Sequence, residues 1–176
     1  MKKWIAFFSK SGSEIAEVSN RLGRWPDLII TNRKSSTGCN PAILERKVVF
    51  IKNDPTEIDY TNAINSCWGT DVFITLHGYM RILPKKICET YEIYNGHPGL
   101  ITKYPELKGK DPQMRAFEGG YDTGGSVIHK VTPGVDEGEV LMEREVGVRL
   151  LDLDGLFHIL HNTSVNMWIE FLKERL

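Results

Sequence analysis

The sequence has few cysteines, and their arrangement limits the kind of protein it can encode. The chain of 176 residues contains three, Cys39, Cys67 and Cys88, which is an odd number without Cys-x-x-Cys spacing. A protein stabilised by several disulfides needs more cysteines than this, and a zinc site with cysteine ligands needs them in closely spaced pairs. We therefore expect a protein of the reducing cytoplasm that holds no metal.

Long apolar runs and an excess of one charge are also missing. The N-terminal apolar run, residues 4–8, is too short for a secretory signal, and no segment approaches the roughly 20 apolar residues of a membrane span. The 22 Lys and Arg residues nearly balance the 23 Asp and Glu residues, which leaves a net charge of −1. We expect neither a membrane nor a nucleic acid to be the main partner.

The chain lacks the glycine pattern of dinucleotide-binding proteins. Its first apolar stretch is followed by Ser9-Lys10-Ser11-Gly12-Ser13 and not by Gly-x-Gly-x-x-Gly. Thr31-Asn32-Arg33 stands where an acidic residue would bind the ribose of NAD. These two absences argue against a nicotinamide-dependent enzyme.

The sequence does contain a regular alternation of strand and helix patterns. Helices are predicted after the first strand, over residues 55–66, after Pro84 and over Pro112–Glu118, and strands over Lys3–Ser9, Asp27–Asn32, Lys47–Ile51, Asp71–Leu76 and Tyr91–Asn95. Strands joined through helices pair in parallel. The prediction is an α/β fold with a Rossmann-like, mostly parallel sheet flanked by helices, in a single domain over residues 1–176.

The C-terminal part contains two further strand patterns, of which the second alternates more clearly, and a helix. Residues Gly125–Val131 and Glu139–Val148 are predicted strands, and an amphipathic helix follows from Asp152, with a break near Asn162. Ser13 is the predicted N-cap of the first helix.

The stretch Asn95-Gly96-His97-Pro98 has the clearest chemical content. A strand that ends at Asn95 delivers this side chain to the carboxyl edge of the sheet, where open α/β folds bind ligands. Gly96 permits a sharp turn, and Pro98 restricts the backbone after His97. An amide and an imidazole converging there would stabilise an oxygen that gains negative charge. The alternative is a loop that merely contains a histidine.

Asp136 is the candidate acid of the site. It lies between Gly134 and Gly138, in a loop that joins the two C-terminal strands. A buried carboxylate near a histidine can stabilise an imidazolium or relay protons. A turn aspartate that bonds only its own backbone is the alternative, because the sequence does not give the distance from Asp136 to His97.

Together, these motifs resemble the folate-dependent formyltransferase family. The family's Asn-x-His-Pro corresponds to Asn95–Pro98, its Asp-x-Gly loop to Asp136–Gly138, its Gly-[Phe/Tyr]-Met-Arg-Ile-Leu stretch to Gly78–Leu83, and its first strand and Gly-Ser turn to Phe7–Ser13. The motifs follow the family's order and span nearly the whole chain.

The resemblance implies a formyl donor, 10-formyltetrahydrofolate, and a division of labour among residues. Asn95, His97 and Asp136 would be catalytic. The folate would be bound by His77, Gly78, Tyr79, Met80, Arg81, Ile82, Leu83, Val135 and Asp136. For the 78–83 stretch, the alternative is a helix start that packs on the sheet. His77 departs from the small residue usual at that position.

The acceptor is less well defined by the resemblance. A small phosphorylated amine, with glycinamide ribonucleotide as first candidate, would be bound by Lys10, Ser11, Gly12, Ser13, Lys108 and Lys110. However, Glu14 stands where the family's Gly-Ser turn has Asn. The Lys-Gly-x-x-Pro-x-x-Arg-Ala stretch at residues 108–116 instead resembles members that act on tRNA or amino sugars.

Other functions stay open at this point. An amino-sugar nucleotide or another aminated nucleotide could be the acceptor, water could replace the amine in a formyltetrahydrofolate hydrolase, and a folate-binding module without activity is a third class. We expect a monomer or a homodimer.

Overall fold

A computed structural model describes residues 2–67 and 71–176. Met1 and residues 68–70, which belong to the predicted 1–176 unit, lie outside the described residues. The elements in chain order are β1 Lys3–Phe8, α1 Ser13–Leu22, β2 Leu28–Thr31, α2 Pro41–Leu44, β3 Val48–Phe50, α3 Glu57–Asn65, β4 Val72–His77, α4 Lys85–Thr90, β5 Glu92–His97, α5 Pro112–Glu118, β6 Thr123–Lys130, β7 Val140–Gly147 and α6 Leu153–Lys173.

The strands form one sheet of seven in the order β3-β2-β1-β4-β5-β6-β7. The five strands from β3 to β5 are parallel, whereas β6 runs antiparallel to β5 and β7 antiparallel to β6. The predicted α/β fold with a mostly parallel sheet is therefore confirmed. The clearer alternation of residues 139–148 fits the position of β7 as an antiparallel strand at the edge of the sheet, where Val140, Met142 and Val146 are half-buried and the residues between them are exposed.

Both faces of the sheet are covered, which explains the uninterrupted apolar character of β1. Trp4, Ala6 and Phe8 point to the side of α1 and α6. Ile5 and Phe7 point to the other side, against Tyr60 of α3 and Ile87 of α4. Within the described residues, no helix has both the length and the apolar surface that crossing a membrane would require.

Several local predictions are wrong. The residue that caps α1 is Gly12, in the left-handed region with φ of 76°, and Ser13 is the first helical residue. Helix α6 continues through Asn162 without a break. Strand β5 continues to His97 and does not end at Asn95, because residues 95 and 96 pair with β4 and residues 95–97 pair with β6.

Gly96 is the residue whose interpretation changes most. It lies inside β5 and is not among the glycines with positive φ, so it forms no sharp turn. A Cβ at this position would lie 2.6 Å from Nε1 of Trp168, which is completely buried on α6. The glycine is needed because α6 approaches the sheet closely at this point.

Gly96→Ala should therefore destabilise the protein by about 1–3 kcal/mol, because the buried Trp168 ring has to move. Urea denaturation measures this as a lower midpoint at an unchanged slope. Gly147→Ala is the matched control, since its new Cβ would meet nothing within 4 Å. Equal midpoints for the Gly96→Ala variant and the wild type would contradict this account of the packing.

Candidate active site

The pairing of β5 with β6 assembles one side of the candidate site. Asn95 and His97 are two residues apart on β5, so their side chains lie on the same face of the sheet. Asn95 is directly opposite His129 of β6 in the antiparallel register. Asp136 reaches this group from the loop between β6 and β7 and adopts a left-handed backbone conformation with φ of 51°.

The Asp136 carboxylate contacts all three of these side chains. Its Oδ2 lies 3.3 Å from Nδ1 of His97, and its Oδ1 lies 3.2 Å from Nε2 of His129 and 3.5 Å from Nδ2 of Asn95. The backbone N–H of Gly109 also donates to Oδ2, at 2.8 Å. The structure thus brings together the three residues predicted to be catalytic.

The surroundings keep Asp136 ionised. Burial acts to raise the pKa of this carboxyl, but the hydrogen bond from His129, the neighbouring His97 and the Gly109 N–H outweigh burial and lower the pKa to about 2. A carboxylate therefore faces both imidazoles at neutral pH.

His97 is fixed by a backbone carbonyl on its other side. Its Nε2 lies 2.9 Å from the oxygen of Leu107, and a carbonyl can only accept, so Nε2 carries the proton. Burial lowers the pKa of His97 below its usual value, and the Asp136 carboxylate and the Leu107 carbonyl offset this only in part. The free ring is neutral, with its unprotonated Nδ1 facing Asp136.

His129 is a site residue that the sequence reasoning missed. Its side chain is buried, and its Nε2 lies 3.1 Å from Nδ2 of Asn95 as well as close to Asp136. The sequence predicts a strand over Gly125–Val131 and gives it no further role. The signal was a histidine inside that strand, but recognising it requires the β5–β6 register, which the sequence does not give.

A single arginine organises the loop that contacts His97 and Asp136. The guanidinium of Arg115, on α5, donates to four backbone carbonyls of residues 106–110: those of Glu106, of Leu107 at 3.1 Å, of Lys108 at 2.8 Å and of Lys110 at 3.0 Å. The same loop supplies the Leu107 carbonyl to His97 and the Gly109 N–H to Asp136. Arg115 thus holds the backbone that orients both residues.

A cavity of about 430 Å³ opens beside this cluster, and we call it the main cavity. The three predicted catalytic residues and His129 line it, together with the 78–83 segment, Val135, Lys10 and residues 109–113. Met80, Ile82 and Val135 expose apolar surface around it. A cavity of this size with apolar walls and a few converging polar groups is typical of a small-molecule site.

The 78–83 segment divides its side chains between cavity and core. It is a loop, and α4 begins only at Lys85, so the alternative of a helix start is wrong. Tyr79 and Leu83 are buried, and the Tyr79 hydroxyl is 2.8 Å from that of Tyr60 in the core. The side chains of Met80 and Ile82 are exposed, and that of Arg81 is half-buried.

His77, predicted to bind the folate, does not line the main cavity. As the last residue of β4 it faces α6, where its ring lies 4.5 Å from the Trp168 ring. Its Nδ1 is 2.7 Å from Glu14 Oε2, and its Nε2 is 2.9 Å from the Thr75 hydroxyl. Ser164 of α6 donates to the other oxygen of Glu14 at 2.6 Å.

His77 and Glu14 are two of the departures from the family pattern, and they bind each other. Burial acts to raise the pKa of Glu14, but the bonds from His77 and Ser164 hold this pKa below its usual value. The carboxylate turns into the protein and away from the Ser11–Ser13 turn. It therefore contributes to a buried polar network that joins β4, α1 and α6.

The residues predicted to bind the acceptor are only partly brought together. Lys10 and Lys110 line the main cavity, whereas Ser11, Gly12, Ser13 and Lys108 do not. The Ser11 and Ser13 hydroxyls are 2.9 Å apart, and the Asn40 amide is 3.5 Å from Ser13. The side chains of this turn thus bond mainly to one another.

Comparison with known proteins agrees with this geometry. Residues 3–155 match the family described as Formyl transferase. A methionyl-tRNA formyltransferase of Thermotoga sp. (strain RQ2) is 33% identical over 135 residues, which are 74% of this chain and 41% of that protein. A phosphoribosylglycinamide formyltransferase of Haemophilus influenzae is 29% identical over 161 residues, which are 84% of this chain and 74% of that protein.

A solved structure extends the similarity to the whole described fold. The crystal structure of phosphoribosylglycinamide formyltransferase from Streptococcus pneumoniae TIGR4 superposes on this chain with a TM-score of 0.81 and 25% sequence identity. The superposition covers 99% of this chain and 98% of the Streptococcus chain. The chain spans only 41–44% of the length of two Thermotoga methionyl-tRNA formyltransferases that it matches. Since the family match covers residues 3–155, this chain belongs to the formyl transferase family.

Proposed function

We propose that this protein transfers a formyl group from 10-formyltetrahydrofolate to the primary amine of a small phosphorylated acceptor. The observation that carries the proposal is the Asp136 carboxylate, held between His97 and His129 and beside Asn95 at the wall of the main cavity. A protein that only bound folate would need no such proton-transfer group.

In the proposed reaction, the acceptor nitrogen attacks the formyl carbon and the carbonyl oxygen gains negative charge. Asn95 donates to that oxygen from its amide. His97 can donate only from Nδ1, because Nε2 is committed to Leu107, so it must first take up a proton. The attacking amine supplies that proton, and the Asp136 carboxylate stabilises the imidazolium.

The second half of the reaction breaks the bond between the formyl carbon and the folate nitrogen. The proton taken from the amine passes through the His97 and Asp136 pair to that nitrogen, and the electron pair of the broken bond stays with it. The products are the formylated amine and tetrahydrofolate. The low pKa of Asp136 keeps it in the carboxylate form, in which it stabilises the imidazolium while His97 carries the proton.

The pterin and benzoyl rings of the donor would lie against the 78–83 segment and Val135. Met80, Ile82 and Val135 are 38%, 71% and 46% exposed, and all three line the main cavity, where an apolar wall suits a flat aromatic ligand. His77 is not part of this proposed pocket, since its side chain is fully buried on the opposite face.

The phosphate of the acceptor would bind near Lys10 and Lys110. Both lysines line the same cavity and have no ion-pair partner among the described residues. Glycinamide ribonucleotide is the first candidate, and an amino-sugar nucleotide or another aminated nucleotide is the second. We expect the enzyme to act in the cytoplasm.

The direct test is to incubate the protein with 10-formyltetrahydrofolate and a panel of phosphorylated amines and to follow tetrahydrofolate by absorbance. We expect formyl transfer to glycinamide ribonucleotide. Asn95→Ala should lower turnover about 10²–10³-fold while the protein stays folded, because one donor to the oxyanion is lost.

Two results would contradict the proposal. A loss of less than tenfold in Asn95→Ala would remove this residue from the mechanism. Formate release at the full rate without any amine would instead assign the protein to the formyltetrahydrofolate hydrolases, with water as the acceptor.

The pH profile tests the state of His97. The reactive form has a neutral His97, so kcat/KM should fall as the pH drops through the pKa of this residue, which lies below its usual value of 6.5. In Asp136→Asn this acidic limb should move to still lower pH, because the carboxylate that raises the pKa of His97 is gone. The plateau should also fall.

The acceptor amine titrates identically in both proteins, so the shift between their profiles isolates the enzyme group. An acidic limb that stays in place, or moves to higher pH, would exclude the assignment of that limb to His97.

Arg115→Met should lower kcat by about tenfold to a hundredfold with little change in the KM for the folate, because the 106–110 backbone that orients His97 and Asp136 loosens. Arg115→Lys should restore part of this loss. NMR of ¹⁵N-labelled histidines gives a second readout, the tautomer of His97. The proton stays on Nε2 only while the Leu107 carbonyl is kept in place to accept it. Arg149→Met, which removes an exposed arginine elsewhere, is the control; equal kcat in both Met variants would contradict the role of Arg115.

A further inference from the structure

A second cavity, of about 390 Å³, opens beside the main one. Its wall comes from the loops that follow four neighbouring strands: Ser9 and Lys10 after β1, residues 32–35 after β2, Asn53 after β3, and Met80 and Arg81 after β4. These loops lie outside the carboxyl ends of the strands, and the strand order reverses between β1 and β4. Ligands of open α/β sheets bind at this kind of position.

The second cavity is strongly cationic. Lys10, Arg33, Lys34 and Arg81 line it, and no acidic residue of the described chain does. The carboxylate of Asp54 lies 3.2 Å from Nε of Arg81 and is itself largely exposed. Lys10 and Lys34 have no carboxylate within ion-pair distance among the described residues.

Two of the four cations are held rigidly. Arg81 donates to the Asn53 carbonyl at 2.8 Å, to the Asn53 side chain at 2.7 Å and to the Met80 carbonyl at 2.9 Å. Arg33 donates to the carbonyls of Lys10 and Thr37, which ties the loop after β1 to the loop after β2. The positive charge is thus fixed in place before any ligand arrives, which favours binding.

The two cavities are adjacent. Lys10, Met80 and Arg81 line both of them, so the cationic cavity lies next to the cavity that contains Asp136. The Ser11–Ser13 turn offers no comparable cluster of cations.

We propose that the second cavity binds an oxyanion group, carboxylate or phosphate, carried by a substrate whose reacting end lies in the main cavity. The proposal rests on the proposed function, which supplies two substrates of that chemistry. One is the folate, whose glutamate carboxylates lie far from its pterin, and the other is the phosphorylated acceptor.

Lys34→Glu is the sharpest test, because Lys34 is exposed and makes no hydrogen bond with another described residue, so the fold does not depend on it. Lys173→Glu, on the exposed side of α6, is the matched control. Binding of tetrahydrofolate with one or with three γ-linked glutamates is measured by tryptophan fluorescence, and binding of inorganic pyrophosphate by calorimetry. None of these measurements requires turnover.

We expect Lys34→Glu to weaken at least one of these ligands tenfold or more, in a manner that added salt reduces. A loss confined to the triglutamate assigns the cavity to the folate carboxylates, and a loss confined to pyrophosphate assigns it to the acceptor phosphate. Binding of all three probes within twofold of the Lys173→Glu control would overturn the proposal. If the wild type shows no formyl transfer but Lys34→Glu still weakens binding of these probes, the proposed function would be wrong and the anion site would remain.

Discussion

The buried carboxylate of Asp136 is the constraint on which the rest of this site depends. Removing such a charge from water costs several kcal/mol unless hydrogen bonds and opposite charges replace the lost hydration. Here three separate parts of the chain replace the lost hydration. The β5–β6 pair contributes Asn95, His97 and His129, and the 106–110 loop contributes the N–H of Gly109. Helix α5 contributes Arg115, which fixes this loop. The geometry of the proposed catalytic site is therefore also the arrangement that makes the burial of Asp136 tolerable.

The fold, and the three residues that meet in the candidate site, could be predicted from the sequence because their signals are local. Apolar strand patterns, helix starts and the Asn95–Pro98 and Asp136–Gly138 motifs each lie within a few residues. His129, Arg115 and the true role of Gly96 could not, because each depends on a partner distant along the chain. His129 meets Asn95 only through the β5–β6 register. Arg115 binds the carbonyls of a preceding loop, and Gly96 is constrained by Trp168, which is 72 residues further along the chain.

His77 and Glu14, which both depart from the family pattern, show how a single position misleads when its partner in the fold is unknown. Taken singly, His77 suggests a more polar folate pocket, and Glu14 suggests a turn that rejects phosphate. In the structure they bind each other, with Thr75 and Ser164 completing the network and Trp4 donating to Thr75 at 2.8 Å. A buried histidine and a buried glutamate are costly alone and acceptable together, so the pair is best understood as one structural replacement.

The donor side and the acceptor side of the site differ in how firmly the fold defines them. Strands β5 and β6 hold the groups that would act on the formyl carbon, and a residue inside a paired strand has little freedom to shift. The groups that would select the acceptor stand on loops, at Lys10, Arg33, Lys34 and Lys110, where changes are tolerated without loss of the sheet. A family can therefore keep one formyl-transfer centre while its members act on different amines. If the proposed function holds, the cationic loops after β1, β2 and β4 would therefore define the acceptor more closely than the motifs that place the chain in the family.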